Sequence, residues 1–218
     1  MPLFRRDNVA VLFVHIPKTG GTSIEDAFAE HGWHVDFLDR HAAPGLLNYY
    51  LHSSPQHMEA SRLSNTFRLD RIDAVFGFVR EPLARLTSEY VWRHWGKSEV
   101  DTSPEAFALW ITSVLAAARE SPFAYDNHIR PQVDFLLPGM HTLRFEDGLN
   151  VGMCRIRDVT GIDVPVVLPW EQNSTASTGV SGRDVAISSV VRKAVAEFYR
   201  DDYERFAYVP PDSSAAET

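Results

Sequence analysis

Hydrophobic residues along the chain fall into short continuous runs separated by longer stretches with helical spacing. The two strongest runs are VAVLFVHI at 9–16 and DAVFGFV at 73–79, and a polar turn follows each of them. Nearly continuous apolar character of this kind is typical of strands buried on both faces, as in a parallel sheet. HVDFL at 34–38 and HTLRF at 141–145 are weaker strand candidates.

Helical patterns lie between these strands. In TSIEDAFAEHG at 22–32, Thr22 is placed as an N-cap, Glu25 three residues later completes a capping box, and Gly32 ends the helix. PLARLTSEYVWRHW at 82–95 begins with a proline, which suits the first helical position. Further predicted helices cover 57–67, 104–119 and about 183–205.

The alternation of strands and helices predicts an α/β fold. The expected form is a three-layer, P-loop-type domain with a central parallel sheet flanked by helices. The chain shows no internal repeat and no clear interdomain linker, so residues 1–209 are predicted to form one domain. The tail PPDSSAAET, at 210–218, is predicted to be disordered.

Composition and charge restrict the class of protein. The formal net charge of −8 disfavours a nucleic-acid partner, because a polyanion needs a basic face. The single cysteine, Cys154, permits neither an internal disulfide nor a cysteine-based zinc site, so a reducing cytoplasm is the expected compartment. The apolar runs are too short to span a bilayer, and no metal-binding spacing such as HExxH is present, so we expect neither a membrane span nor a metal.

The segment HIPKTGGTS, at 15–23, has the composition of a loop that surrounds a phosphate-like anion with one cation, hydroxyls and backbone N–H groups. Its order differs from the Walker motif GxxxxGK[ST], because the lysine precedes the glycines. A tight turn of incidental polarity and a nucleotide kinase are the alternatives. The residues predicted to bind the anion are Lys18, Thr19, Gly20, Gly21, Thr22 and Ser23.

A second cation, Arg80, follows the strand at 73–79. Ligands of open α/β sheets bind at the carboxyl ends of the strands, so Lys18 and Arg80 are expected at the same sheet edge. Two cations at one edge suit a ligand with two or three negative charges.

Two motifs resemble the sulfotransferases, in particular the membrane-type and bacterial branch that includes the heparan sulfate 2-O-sulfotransferases. HIPKTGGTS resembles the loop that binds the 5′-phosphosulfate of the donor. FVREPLARLTSEY, at 78–90, is similar to the element in which an arginine and a serine eight residues later hold the 3′-phosphate, a spacing that Arg80 and Ser88 reproduce. DDYERFAY, at 201–208, resembles the family's ending and is assigned to packing.

The resemblance implies an enzyme that transfers a sulfuryl group from 3′-phosphoadenosine 5′-phosphosulfate (PAPS) to an acceptor and releases adenosine 3′,5′-bisphosphate. The acceptor would be a hydroxyl, or as second choice an amine, of a carbohydrate, lipid or small molecule. Lys18 is expected to meet the charge that develops on the bridging oxygen of the donor. Arg80 suits a paired hydrogen bond to the 3′-phosphate, and Arg183, in the Ser/Thr-rich segment at 173–184, is a further phosphate candidate.

Two other functions stay open at this point. A nucleotide-dependent kinase of the P-loop type would need Mg²⁺, and no carboxylate that could organise the ion is obvious after a strand. A non-catalytic nucleotide-binding protein of the same fold is the other possibility.

Histidine is the expected base, because removing the acceptor proton requires a pKa near neutrality. His57 is the first candidate and His52 the second, since LHSSPQHMEA lies between the two donor motifs, where the resemblance places the base. His15, at the end of a strand, is assigned to buried packing.

The acceptor pocket is predicted from position and polarity alone. The segment DNHIRPQ, at 126–132, combines three polar residues that could line it: His128, Arg130 and Gln132.

Overall fold

The computed structural model describes residues 1–41, 43–94, 99–169 and 178–211. They form two compact units. The sheet unit contains the described residues within 1–79, 126–128 and 134–169, and the helical unit contains those within 80–125, 129–133 and 178–211. Residue 95, residues 173–177 of the predicted loop and residues 212–218 of the predicted tail lie outside the described residues. A single domain over 1–209 stays a prediction.

One mixed sheet of five strands forms the centre of the sheet unit. Its spatial order is β3-β1-β2-β4-β5, in which β2, β4 and β5 are parallel and β1 runs antiparallel to both β2 and β3. The strands are β1 (Leu3–Arg6), β2 (Val9–Val14), β3 (His34–Asp36), β4 (Ala74–Val79) and β5 (His141–Arg144). The α/β class is thus confirmed, but the sheet is mixed rather than parallel, and the P-loop-type three-layer arrangement stays a prediction.

The antiparallel strand β1 is the reason for the difference. Its sequence, LFRR, carries two arginines and gives no strand pattern of its own. It pairs with β2 through a two-residue turn, Asp7 and Asn8, because Arg6 lies opposite Val9. Asp7 has a φ of 54°, and aspartate is one of the few residues besides glycine that tolerate this conformation.

The helices of the two units are as follows. The sheet unit contains α1 (Gly21–Glu30), α2 (Ala60–Thr66) and α5 (Leu149–Thr160), and the helical unit contains α3 (Pro82–Arg93), α4 (Pro104–Glu120), α6 (Ser189–Phe198) and α7 (Arg200–Arg205). Short 3₁₀ turns cover Leu47–Tyr50, Pro55–His57, Leu69–Arg71, Gln132–Phe135, Phe145–Asp147 and Gly182–Asp184. The predicted helix at 183–205 is therefore one 3₁₀ turn followed by two helices.

Alternating strand residues build a core rich in phenylalanine on one face of the sheet. Phe13 from β2 and Phe76 from β4 lie in it, and helix α1 adds Ile24 and Phe28 at the i, i+4 spacing of one helical face. The rings of Phe4 and Phe28 stack with their centroids 3.8 Å apart. Burial of these side chains attaches α1 to the strands and so positions the loop that precedes it.

Helix α5 packs against the same core, although it is not among the helices predicted from the sequence. In its sequence, LNVGMCRIRDVT, apolar and polar residues are mixed; Met153 and Ile156 enter the core cluster, and Leu149 packs against it. Gly161, which has a φ of 69°, ends the helix in the left-handed conformation typical of a C-terminal glycine. This glycine and the i, i+4, i+7 spacing of the three apolar residues could have indicated the helix.

The N-termini of α1 and α3 differ from each other. Gly20, not Thr22, precedes the first residue of α1, so the predicted capping box is wrong, and Glu25 binds His15 instead. At α3, the Glu81 carboxylate accepts hydrogen bonds from the backbone N–H groups of Leu83 and Ala84. Glu81 therefore serves as the N-cap of α3.

Gly152 of α5 gives a test of the core. A methyl group added there would lie 2.5 Å from two ring carbons of Phe78, so Gly152→Ala should lower the free energy of unfolding by about 1–3 kcal/mol despite the better helix propensity of alanine. Val151→Ala is the control, because Val151 is exposed and its loss should change stability by less than about 0.5 kcal/mol. Urea unfolding of both variants measures the difference, and equal stabilities would contradict the packing described.

Candidate active site

The loop between β2 and α1 holds its polar residues on a strained backbone. Lys18 has a φ of 68° and Gly20 a φ of 86°, so both lie in the left-handed region. This conformation suits glycine but costs a residue with a side chain about 1–2 kcal/mol. The Thr19 hydroxyl donates to the Ile16 carbonyl (2.7 Å), and Thr19 is fully buried. That hydroxyl braces the loop, so Thr19 offers an anion its backbone N–H group, beside the Lys18 ammonium.

Both glycines of the loop are close to other side chains. A Cβ atom on Gly20 would lie 2.6 Å from Leu149 Cδ1, and one on Gly21 would lie 2.1 Å from His15 Nε2. The His15 ring therefore rests on the first residue of α1, at the end of the helix that attracts anions. His15 is buried, as predicted, but its ring is also part of the surroundings of the loop.

A buried carboxylate fixes the orientation of His15. Its Nδ1 lies 2.6 Å from Glu25 Oε1, and the Arg40 guanidinium donates to Glu25 Oε2 (2.9 Å). Burial raises the pKa of Glu25, but the charges and hydrogen bonds of His15 and Arg40 outweigh it and hold the pKa below its usual value. Glu25 is thus a buried anion between two donors, which is the arrangement that makes a buried charge tolerable.

His57 also pairs with a carboxylate, that of Asp126, whose side chain is 37% exposed. Its Nδ1 lies 2.7 Å from Asp126 Oδ2, and the Ser54 hydroxyl donates to the same oxygen (2.6 Å). The Ser54 backbone N–H donates to Asp126 Oδ1. Both oxygens of the carboxylate are therefore held, and the ring of His57 has one orientation relative to them.

The three histidines His15, His57 and His128 form a continuous row, called the histidine cluster below. The ring centroids of His15 and His57 are 4.9 Å apart, and those of His57 and His128 are 4.8 Å apart, both with edge-to-face geometry. All three are buried. The cluster lies within the sheet unit, which also contains the loop with Lys18.

Burial determines the charge state of His57. Burial, the largest cause, lowers the pKa of His57, and the neighbouring His128 and His15 lower it too. Together they outweigh the Asp126 carboxylate, which raises it, so that the pKa is lowered to about 3. For Asp126, burial raises the pKa, but the hydrogen bonds from His57 and Ser54 outweigh burial and hold it well below its usual range. At neutral pH the pair is therefore a neutral imidazole beside an ionised carboxylate.

Two histidines of the cluster and the neighbouring Asp126 could together ligate a metal. His57, Asp126 and His128 each offer one ligand atom, and these atoms lie within 4.8 Å of one another. Zinc holds such ligands at about 2.0–2.2 Å, so Asp126 and His57 would have to exchange their hydrogen bond for the ion. That no metal is needed stays a prediction.

In the helical unit, a buried amide clamps the backbone of Arg80. The Arg80 N–H donates to Gln132 Oε1 (2.9 Å), and Gln132 Nε2 donates to the Arg80 carbonyl (2.8 Å). Asp202 in turn accepts from the backbone N–H groups of Gln132 and Val133, both at 2.9 Å. Arg80, the residue directly after β4, is thus positioned by Gln132, and Gln132 is positioned by Asp202 of α7.

Ser88 and Arg183, both predicted to bind phosphate, belong to neighbouring segments of the helical unit. The 3₁₀ turn Gly182–Asp184 packs on α3 so closely that a Cβ atom on Gly182 would lie 2.8 Å from Thr87 Oγ1 and 3.3 Å from the Ser88 nitrogen. Ser88 is half-buried and Arg183 is exposed.

The predicted acceptor residues have different environments. His128 contacts His57 in the sheet unit. Arg130 belongs to the helical unit, where it lies over the ring of Phe123 with its Cζ 5.5 Å from the ring centroid. Gln132 is fully buried and its amide holds Arg80 and Asp202, so its position argues for a structural role.

The structure divides the predicted site residues between the two units. The sheet unit contains residues 18–23, His52, His57 and His128, and the helical unit contains Arg80, Ser88, Arg130, Gln132 and Arg183. His52 is exposed, whereas His57 is inside the cluster, which favours His57 as the base. The sequence pattern did not indicate the partners Glu25, Ser54 and Asp126, because nothing in their local spacing points to histidines far along the chain.

Comparison with known proteins yields one match. The model of the sulfotransferase family matches residues 2–209 of the chain. Comparisons with curated proteins and with solved structures give no match. In the part of the chain that the structure describes, no helix is both long and apolar enough to cross a membrane.

The lowered pKa of His57 predicts that stability depends on pH. In the unfolded chain the pKa of a histidine is about 6.5. Below that pH the unfolded state binds a proton that the folded state does not bind, so the free energy of unfolding falls. Between pH 7 and pH 5 the loss should be about 2 kcal/mol larger for the natural protein than for His57→Gln, whose amide can still donate to Asp126. Urea unfolding at both pH values measures this, and identical losses would contradict a neutral, buried His57.

Proposed function

Because the chain belongs to the sulfotransferase family, we propose that it transfers a sulfuryl group from PAPS to an acceptor hydroxyl, with His57 as the base. Membership supports sulfotransfer as the type of reaction and, since the family generally uses PAPS, a nucleotide donor. The observation that carries the finer proposal is the position of His57. It is a neutral, carboxylate-bound histidine in the same compact unit as the strained glycine loop.

We assign the 5′-phosphosulfate of the donor to the loop. Lys18 contributes the charge, and Gly20, Gly21, Thr22 and Ser23 contribute backbone N–H groups at the start of α1. Thr19 contributes its backbone, since its hydroxyl donates to Ile16. The strained φ of Lys18 supports this assignment, because backbone strain of this kind concentrates at functional sites.

We assign the 3′-phosphate to the helical unit. Arg80 can form two parallel hydrogen bonds with a phosphate, and Ser88 and Arg183 supply a hydroxyl and a second cation. The clamp of Gln132 on both backbone groups of Arg80 supports the assignment, because it fixes the starting point of the long arginine side chain. Fixing that point lowers the entropy lost when the guanidinium binds.

The transfer is an in-line displacement at sulfur. The acceptor oxygen bonds to sulfur as the bond between sulfur and the bridging oxygen breaks, and the electron pair of that bond leaves with adenosine 3′,5′-bisphosphate. Lys18 stabilises the charge that develops on the bridging oxygen. The acceptor proton moves to His57, whose ring is neutral. The pKa of His57, lowered to about 3 mainly by burial, is below the near-neutral value expected of a base, and the Asp126 carboxylate, which raises that pKa, favours the cation that forms.

The acceptor is proposed to be a carbohydrate, lipid or small molecule, and of the residues predicted to contact it, His128 packs its ring against that of the base. The net charge of −8 argues against a long polyanionic glycan. A cytoplasmic location is part of the same proposal.

Donor binding tests the assignment of Arg80. Calorimetry should detect adenosine 3′,5′-bisphosphate binding without Mg²⁺, and Arg80→Ala should weaken it on the order of 10- to 100-fold, since hydrogen bonds to charged groups are lost. Arg68→Ala removes an exposed arginine that pairs with Asp70, and as a charge-matched control it should leave the affinity unchanged. Binding of ATP with Mg²⁺ but not of the bisphosphate would overturn the proposal in favour of a kinase.

Turnover tests the base. His57→Ala should reduce sulfuryl transfer from PAPS on the order of 10²–10⁴-fold while the affinity for the bisphosphate hardly changes. The control is His34→Ala, because His34 is an exposed histidine of the same unit. Unchanged turnover in His57→Ala would remove His57 from the mechanism, and donor cleavage that no acceptor accelerates would favour a nucleotide-binding role.

A further inference from the structure

We propose that Asp126 is a positioning residue that keeps the ring proton of His57 on Nδ1 and leaves the lone pair of Nε2 to accept the proton of the acceptor. The proposal rests on the proposed function, in which His57 is the base. It adds a residue that neither the sequence pattern nor the family resemblance indicated.

The hydrogen bonds around Asp126 determine where the proton of His57 lies. Asp126 Oδ2 accepts from the Ser54 hydroxyl at 2.6 Å and lies 2.7 Å from His57 Nδ1. An ionised carboxylate only accepts hydrogen bonds, so the nitrogen that faces it must be the donor. A neutral imidazole has one N–H group, and with that group on Nδ1 the lone pair is on Nε2.

The backbone that carries Asp126 is strained. Tyr125, Asp126 and Asn127 have φ values of 55°, 59° and 63°, three consecutive left-handed residues of which none is glycine. Residues with a side chain rarely adopt this conformation because the Cβ atom crowds the backbone, although aspartate and asparagine tolerate it best. A conformation this unfavourable persists only where its surroundings impose it, and functional sites are where such strain concentrates.

The strained turn delivers consecutive side chains to His57. Asp126 binds the ring of His57, and Asn127 Nδ2 donates to the backbone carbonyl of His57 at 2.7 Å. His128, the next residue, packs its ring against the ring of His57. Three successive residues thus contact one histidine: Asp126 at its ring nitrogen, Asn127 at its backbone carbonyl and His128 at its ring.

This arrangement has a definite effect on the proton transfer. Before the reaction, Nε2 of His57 is unprotonated and can accept the acceptor proton. After the transfer, the ring is a cation beside the Asp126 carboxylate, which stays ionised and stabilises it. Asp126 therefore contributes without touching the donor or the acceptor.

Asp126→Asn tests the proposal because it nearly preserves shape while reversing the hydrogen bond. The amide of asparagine can donate to Nδ1, which would place the ring proton on Nε2 and block it as an acceptor. We expect the kcat for sulfuryl transfer from PAPS to fall on the order of 10²–10⁴-fold, with an unchanged affinity for adenosine 3′,5′-bisphosphate. Asp163→Asn, the same substitution at an exposed residue of the same unit, should leave kcat unchanged.

A second readout does not depend on activity. Long-range proton–nitrogen NMR spectra of protein labelled at its histidines distinguish protonated from unprotonated ring nitrogens, and the signals that disappear in His57→Gln identify His57. The natural protein should carry the proton on Nδ1, and Asp126→Asn should carry it on Nε2. The backbone NMR spectrum of Asp126→Asn shows whether the variant folds. If it does not fold, the position of the His57 ring proton in the natural protein is the test of the proposal.

The outcomes separate the two proposals. A proton on Nε2 in the natural protein, or a folded Asp126→Asn variant with natural kcat, would overturn the role of Asp126. If the natural protein has its proton on Nδ1 but neither binds the bisphosphate nor transfers sulfuryl groups, then the assignment of the tautomer stands and the proposed function fails.

Discussion

The pairing of imidazole rings with carboxylates is the interaction on which the candidate active site depends. An anion removed from water is unstable unless donors surround it, and in the sheet unit His15 and Arg40 surround the buried Glu25. His57 and Ser54 likewise donate to Asp126, whose side chain is 37% exposed. The same contacts that make the carboxylates tolerable also determine the orientation of the rings. Stability and chemistry therefore depend on the same hydrogen bonds, and a substitution that disturbs one disturbs the other.

The sequence predicted the parts of the fold that periodicity determines. The two continuous apolar runs correspond to β2 and β4, and the helices at 82–95 and 104–119 correspond to α3 and α4. It failed where tertiary contacts override local pattern. Strand β1 contains two arginines and depends on its neighbours for pairing. Helix α5 is absent from the predicted helices for another reason, because its helical spacing of Leu149, Met153 and Ile156 is short and mixed with polar residues.

The residues of the candidate site differ in how far the sequence points to them. The glycine loop, Arg80 and His57 could be proposed because each has a motif or a place in the chain order that marks it, and their roles stay predictions. The carboxylate partners could not, since Asp126 and His57 are separated by 69 residues and only the folded chain joins them. Asp126 and Asn127 did leave one trace, because adjacent aspartate and asparagine are the residue types that best tolerate a left-handed turn.

The clamp on Arg80 has a consequence for how the protein is made. Gln132 reaches the backbone of Arg80, but Gln132 is itself held by Asp202, which follows it by 70 residues along the chain. A nascent chain in which Asp202 has not yet left the ribosome already contains Arg80 and Gln132, but it lacks the hydrogen bonds from Gln132 to Asp202. With the donor bound by Arg80 as proposed, the nucleotide should stabilise the complete fold more than a nascent chain, so that donor binding follows synthesis.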